Sequence, residues 1–197
     1  AGRSSLGSVF YVTSLANVSL FAACQAGLVN NLNDGMSWGL YPLFFAGYGL
    51  GVGSIGVIKA VYPMAWGVLQ VATGPLSDRF GRKELIVGGM IVQAGAIWLT
   101  VLVPTWAAWL LGAGLQGLGT AMVYPTLLAA ITETSLGVYR FWRDLGYAIG
   151  ALLSGGVADL VGLAAAIHLV AALTFISGLV VARAMRKPSP APVLSVA

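Results

Sequence analysis

Gly74-Pro75-Leu76-Ser77-Asp78-Arg79-Phe80-Gly81-Arg82-Lys83 packs four charged residues and two glycines into ten positions. Long apolar runs with almost no charge flank it on both sides. The stretch reads as a tight, positively charged turn between two membrane-crossing helices. The rest of the chain can be placed relative to it.

Hydrophobic residues fill 58% of the 197 positions and charged residues only 8%. A soluble domain carries about 25% charged residues, so a soluble fold could not cover its surface with this composition. Disorder is excluded too, because it requires low hydrophobicity. An integral membrane protein fits. The net charge is +4 and the pI about 9.5. The basic residues stand at the ends of apolar runs, which assigns them to orientation in a bilayer rather than to nucleic acid. One cysteine, Cys24, and one histidine, His168, leave no internal disulfide and no metal cluster of the usual spacing. The chain opens Ala1-Gly2-Arg3 without a signal-peptide pattern and reads as a piece of a longer protein.

A spanning helix needs about 20 mainly apolar residues, and six such segments are expected. Residues 1–13 form a cytoplasmic lead-in, residues 14–187 a six-helix transmembrane unit, and residues 188–197 a disordered cytoplasmic tail. The first span covers roughly 15–48 and is expected to break at Asn30-Asn31-Leu32-Asn33-Asp34-Gly35. The second covers about 55–76, with Pro63 inside it. The third runs over 85–103, the fourth over 106–131, the fifth over 139–161 and the sixth over 163–185. On this count Arg3, Arg79, Arg82, Lys83, Arg140, Arg143, Arg183, Arg186 and Lys187 share one side, and Lys59 alone lies near the other. The positive-inside rule then makes the first side, with both termini, cytoplasmic.

Several polar residues inside these spans need an explanation. A charge at the bilayer centre costs about 2.5–3.5 kcal/mol on insertion scales. Asn30, Asn31, Asn33 and Asp34 therefore read either as a wetted outer end or as a cavity-facing site, with Asp34 binding a proton or cation. Gly35 and Gly39 would loosen that helix, as in transporters whose broken helices expose backbone groups. In the second span Lys59, Tyr62, Trp66 and Gln70 recur at helical spacing and share one face. They read either as an interfacial belt or as the lining of a polar path. The fourth span carries Gly112, Gly114, Gly117 and Gly119. No strand precedes them, so a dinucleotide loop is not indicated, and small residues at this spacing instead let helices approach closely. Gln116 and Tyr124 of the same span are cavity candidates. The fifth opens with Arg140, Phe141, Trp142, Arg143 and Asp144, where Arg140 and Asp144 are four apart and able to pair. Gly146, Gly150, Ser154 and Gly155 follow as contact residues. The third and sixth spans look featureless, as outer supports do. No catalytic set or cofactor loop supports an enzyme.

Gly74-x-Leu76-Ser77-Asp78-Arg79-x-Gly81-Arg82-Lys83 resembles the signature loop of the major facilitator superfamily, which joins the second and third helices of a six-helix half. Here too it lies between the second and third spans. The fourth span lacks the arginine usual in an N-terminal half, and the fifth lacks the Gly-Pro pair of many antiporters. Tyr139-Arg140-x-x-Arg143-Asp144-Leu145-Gly146 is more similar to an eleventh helix. The resemblance thus implies an all-α membrane fold corresponding to helices seven to twelve, with the other half elsewhere. It implies a secondary active transporter of a small solute, proton-coupled, working by alternating access in the cytoplasmic membrane, without a cofactor. Gly74, Asp78, Arg79, Gly81, Arg82 and Lys83 would form the cytoplasmic gate. Asp78 would face the N-terminus of the fifth helix, where the helix dipole favours a carboxylate. Arg140, Arg143 and Asp144 would be the gate's partners there. A membrane interaction subunit that does not itself transport is the alternative.

Overall fold

The computed structural model describes residues 5–186, except for the side-chain surroundings of Gly74 and Asp78. The tail expected at 188–197 lies outside the described residues, as do Arg3 and Lys187. The chain forms α1 (Leu6–Tyr11), a π-helical turn (Val12–Ala16), α2 (Val18–Gly47), α3 (Val52–Phe80), α4 (Arg82–Leu102), α5 (Trp106–Ala130), a 3-10 turn (Glu133–Ser135), α6 (Leu136–Val161) and α7 (Leu163–Ala184). No strand occurs among the described residues. The six long helices α2–α7 match the six expected segments in place and order. The lead-in contains α1.

Local chemistry sets the boundaries. Asn17 caps α2, its side-chain oxygen accepting from the backbone N–H groups of Ser19 and Leu20 at 3.0 and 3.1 Å. Thr105 caps α5 in the same way through Ala108. Gly81 and Gly162 take φ of 93° and 96° and separate α3 from α4 and α6 from α7. A side chain is strongly disfavoured there, and glycine is not.

Two expectations are corrected. The charged stretch is not a ten-residue turn. α3 continues through Pro75 to Phe80, Gly81 N–H still donates to Ser77 C=O at 3.0 Å, and Gly81 alone reverses the chain. Nor does α2 break at Asn30–Gly35. It runs unbroken over 30 residues, even through Pro42. Asn30, Asn31 and Asn33 each bond to another helix, so their amides do not compete for the helix backbone. The break lies instead at Asn17, where the chain bends by 85° between residues 6–16 and 18–47.

Four helical segments are long and apolar enough to cross a membrane: Val52–Thr73, Arg82–Leu102, Glu133–Val161 and Leu163–Ala184. The bent pair Leu6–Ala16 and Val18–Gly47 makes a fifth if it counts as one span. α5 is 25 residues long without a charge, but Gln116, Tyr124, Pro125 and four glycines dilute its hydropathy. The six-span count is thus matched in helices and only partly in apolar length.

Neighbouring helices pack in the order α3–α5–α4–α7–α2–α6. Exchanging α2 with α5, α3 with α6 and α4 with α7 leaves that list of neighbours unchanged. Two three-helix repeats are therefore interlocked. Transporter folds commonly carry such repeats, with sites where the repeats meet. Glycines hold the axes close. A Cβ on Gly146 or Gly150 of α6 would collide with the carbonyls of Leu28 or Leu32 of α2. A Cβ on Gly117 of α5 would lie 2.7 Å from Ala65 Cβ of α3. Gly112 and Gly119 contact α4 in the same manner, while Gly155 meets nothing within 4 Å. α4 and α7 are not the exposed outer supports expected. Half of the span of α4 and 44% of that of α7 are buried, against 17% for α3 and for α6. Met64, Val68 and Val71 of α3 and Leu152 and Leu160 of α6 stand open.

Candidate functional site

The polar residues of α2 occupy the middle of a 30-residue helix, not its outer end. Successive residues turn by about 100°, so Asn33 and Asp34 meet different neighbours. Asn30 and Asn33 turn toward α4 and α7. Asn33 Nδ2 donates to Gln93 Oε1 at 2.9 Å, Gln93 Nε2 donates to Asn30 Oδ1 at 2.9 Å, and Thr174 Oγ1 donates to Asn33 Oδ1 at 2.7 Å. All four residues are buried. One turn earlier, Ser177 of α7 donates to Gln25 Oε1 at 2.8 Å. Asn30 and Asn33 thus belong to a closed set of amides that joins three helices rather than to a solute cavity.

Asp34 turns toward α3. Tyr62 Oη donates to Asp34 Oδ1 at 2.5 Å and lies 3.3 Å from Thr120 Oγ1 of α5. Tyr62 stacks on Trp66, and Trp66 meets the edge of Tyr124. The Arg143 guanidinium lies over the Tyr124 ring, 4.7 Å from its centre. Asn31 Nδ2 donates to the Arg143 carbonyl at 2.9 Å and so ties α2 to α6. Lys59, buried in α3, donates to Ser37 Oγ at 2.7 Å and to the Ser37 carbonyl at 3.0 Å. Its ammonium also lies 4.1 Å from the centre of the Trp38 ring. Lys59 and Arg143 are both near enough to Asp34 to interact with its charge.

Asn31, Asp34, Tyr62, Trp66, Tyr124 and Arg143 are therefore brought together, from four helices. A cavity of about 10 Å³ adjoins them, lined by Ser37, Lys59, Tyr62 and Gln116 among others. Gln116 is buried there and its Nε2 finds no partner among the described residues. Trp66 Nε1 and Arg143 Nε are likewise buried and have no hydrogen-bond partner among the described residues. Buried donors normally have partners, so this side of α2 differs from the amide set. Gln70 is exposed on α3.

The expected Arg140–Asp144 pair is corrected. Asp144 pairs with Arg143 at 3.3 Å, and Arg140 is exposed. The bond from Asn31 and the Tyr124 ring hold Arg143 on the inner side of α6, within reach of the next carboxylate. Of the gate stretch, Arg82 donates to the Ala129 carbonyl at 2.6 Å, and Arg79 lies exposed beside the Phe80 ring. The surroundings of the Asp78 side chain lie outside the described residues.

The sequence placed Lys59 both as a basic residue near the outer side and on the Tyr62–Trp66–Gln70 face, an interfacial belt or the lining of a polar path, and did not mark Ser37, Thr120, Gln93 or Thr174. For Lys59 the signal was present, since it heads the Lys59-Tyr62-Trp66 stripe. Gln93 and Thr174 stand alone in apolar helices, and no spacing marked them.

The sequence model of the Major Facilitator Superfamily matches residues 23–196. The chain is 30% identical over 164 residues to unc-93 of Caenorhabditis elegans, named as a candidate potassium channel regulatory protein; the match covers 74% of this chain and 23% of that one. It is 29% identical over 149 residues to protein spinster homolog 1 of Bos taurus, covering 71% and 28%. It is 39% identical over 80 residues to the inner membrane transport protein YajR of Escherichia coli K12, covering 40% and 18%. The chain thus spans less than a third of the length of each of these relatives.

Proposed function

Because this chain belongs to the major facilitator superfamily, we propose that it is helices seven to twelve of a secondary active transporter, with Asp34 as its coupling carboxylate. It carries a partial domain of that family and is a multi-pass membrane protein. Members of the family move small solutes across membranes. In this reading a second six-helix half, in the same or another chain, covers the open faces of α3 and α6, and the two halves expose a shared cavity alternately to each side. The basic end of the bundle, with Arg82, Arg140 and Arg186, faces the cytoplasm of the cell inner membrane by the positive-inside rule. The gate stretch, Gly74 and Asp78 to Lys83, closes that end against α6.

One observation carries the coupling role. Asp34 is a carboxylate in the middle of a long helix, bonded to Tyr62 of α3, with the buried Lys59 one turn from Tyr62 on the same helix. Ionisable groups at membrane depth mark ion and substrate paths by default. A carboxylate beside Lys59 and Arg143 can exchange a proton or counter-ion while its helix stays put. The test is uptake or efflux by the full-length protein in vesicles, with and without a proton gradient. Asp34→Asn is expected to remove the dependence of transport on the gradient while insertion stays intact. Unchanged gradient dependence would overturn the coupling role.

A second reading rests on the relative named for channel regulation. There the chain acts as a membrane interaction subunit, and the exposed faces of α3 and α6 bind another protein. Full-length protein that moves no solute in a broad vesicle screen favours that reading.

A further inference from the structure

At the end of the bundle where α2 and α4 begin and α7 ends, a groove of about 100 Å³ is lined by Ser19, Leu20, Arg82, Lys83, Met185 and Arg186. A second groove, of about 300 Å³, continues it past Ser19 and Arg186 to the bend at Asn17. Three cations therefore share one cleft. Among the described residues none of the three has a carboxylate within ion-pair distance; the pair found is Arg143–Asp144, on α6. Arg82 spends one N–H on the Ala129 carbonyl, and Lys83 makes no hydrogen bond among the described residues. The main chain of Arg186 is tied down by its N–H bond to Ser19 Oγ at 3.1 Å, and its guanidinium makes no ion pair among the described residues. Glu84, one residue beyond Lys83, folds its carboxylate back over Gly81.

The same groove is walled by Leu20 and the buried Met185. Charge and hydrocarbon side by side suit a phospholipid at the bilayer surface. Basic pockets between membrane helices take anionic head groups.

We infer that the cleft formed by Arg82, Lys83 and Arg186 is a binding site for the phosphate of an anionic phospholipid. The phosphate sits among the three cations, with Ser19 at the rim. The first carbons of the lipid lie on Leu20 and Met185. The site pins the start of α4 to the end of α7, next to Gly81. It is separate from the Asp34 cluster and does not depend on a transport role.

The test uses the full chain in phosphatidylcholine nanodiscs that contain phosphatidylglycerol. Lipid retained per chain after extraction is counted by native mass spectrometry. Phosphatidylglycerol is expected to be retained over phosphatidylcholine by about tenfold. Lys83→Gln with Arg186→Gln is expected to lower that retention about tenfold, and Arg186→Lys to preserve it. Arg140→Gln, which removes a cation from α6 outside the cleft, is expected to leave it unchanged. Far-UV circular dichroism checks that each variant is folded. Equal retention of the two lipids by the unaltered chain overturns the site, whatever the variants do. So does an equal loss in Arg140→Gln, because general attraction to the positive end would then suffice. Displacement of phosphatidylglycerol by millimolar inorganic phosphate would reassign the cleft to free phosphate and overturn the lipid assignment.

Discussion

Two neighbouring sides of α2 carry similar polar side chains and treat them in opposite ways. Toward α4 and α7, Asn30 and Asn33 meet Gln93 and Thr174 in a buried set whose members answer one another. Toward α3, α5 and α6, Asp34 meets Tyr62 in company with Lys59 and Arg143, and Trp66, Gln116 and Arg143 keep buried donors without partners. A satisfied network fixes one arrangement. An unsatisfied one leaves capacity for water, an ion or a solute, since unpaired buried donors cost free energy until something meets them. The difference separates the residues that hold the helix from those able to do chemistry, although all are polar residues in an apolar helix.

Three substitutions test that separation. The largest effect is expected from Gly150→Leu, because its side chain must push the Leu32 carbonyl away and lever α2 off α6. A loss of about 3 kcal/mol, read from the thermal midpoint, would show that both sides depend on the placement of one axis. Gly155→Leu, with open space around it, is the neutral control. Next, Gln93→Leu orphans the amides of Asn30 and Asn33 and should cost about 1–2 kcal/mol. Replacing Asn30 and Asn33 by Leu in the same chain should recover much of that loss, since removing all partners is far less costly than removing one. The smallest stability change is expected from Tyr62→Phe, below about 1 kcal/mol, because Lys59 and Arg143 remain close to Asp34. Its effect should appear in vesicle transport, which falls more than stability does. If Tyr62→Phe destabilised the chain as much as Gln93→Leu, both sides of α2 would be structural.

Much of the fold was legible in the chain. Apolar runs of spanning length, punctuated by Gly81, Pro104 and Gly162, locate the helices to within a few residues, because a bilayer tolerates little besides complete helices. The charged stretch carries the family resemblance through its residue pattern, Gly74-x-Leu76-Ser77-Asp78-Arg79-x-Gly81-Arg82-Lys83. Its extent was less legible. Proline and glycine at 74–75 suggest a turn, yet the helix carries on to Phe80, and one residue of positive φ makes the reversal.

The candidate site was legible as a set of residue types and not as a set of neighbours. Asp34, Tyr62, Trp66, Tyr124 and Arg143 stand out because polar and aromatic groups are conspicuous in apolar helices. Nothing in their order tells that Asn33 turns to Gln93, 60 positions away, and Asp34 to Tyr62, 28 positions away. Composition and periodicity determined a helical membrane protein and its segments, because those follow from local hydropathy and turn chemistry, and the stretch from Gly74 to Lys83 carried the family resemblance. Which amides close on each other, which donors stay open, that Lys59 is buried and that three cations share one cleft were decided only when six helices packed. Their rotation and separation are set by long-range contacts, such as Gly150 against Leu32, that no stretch of the chain contains by itself.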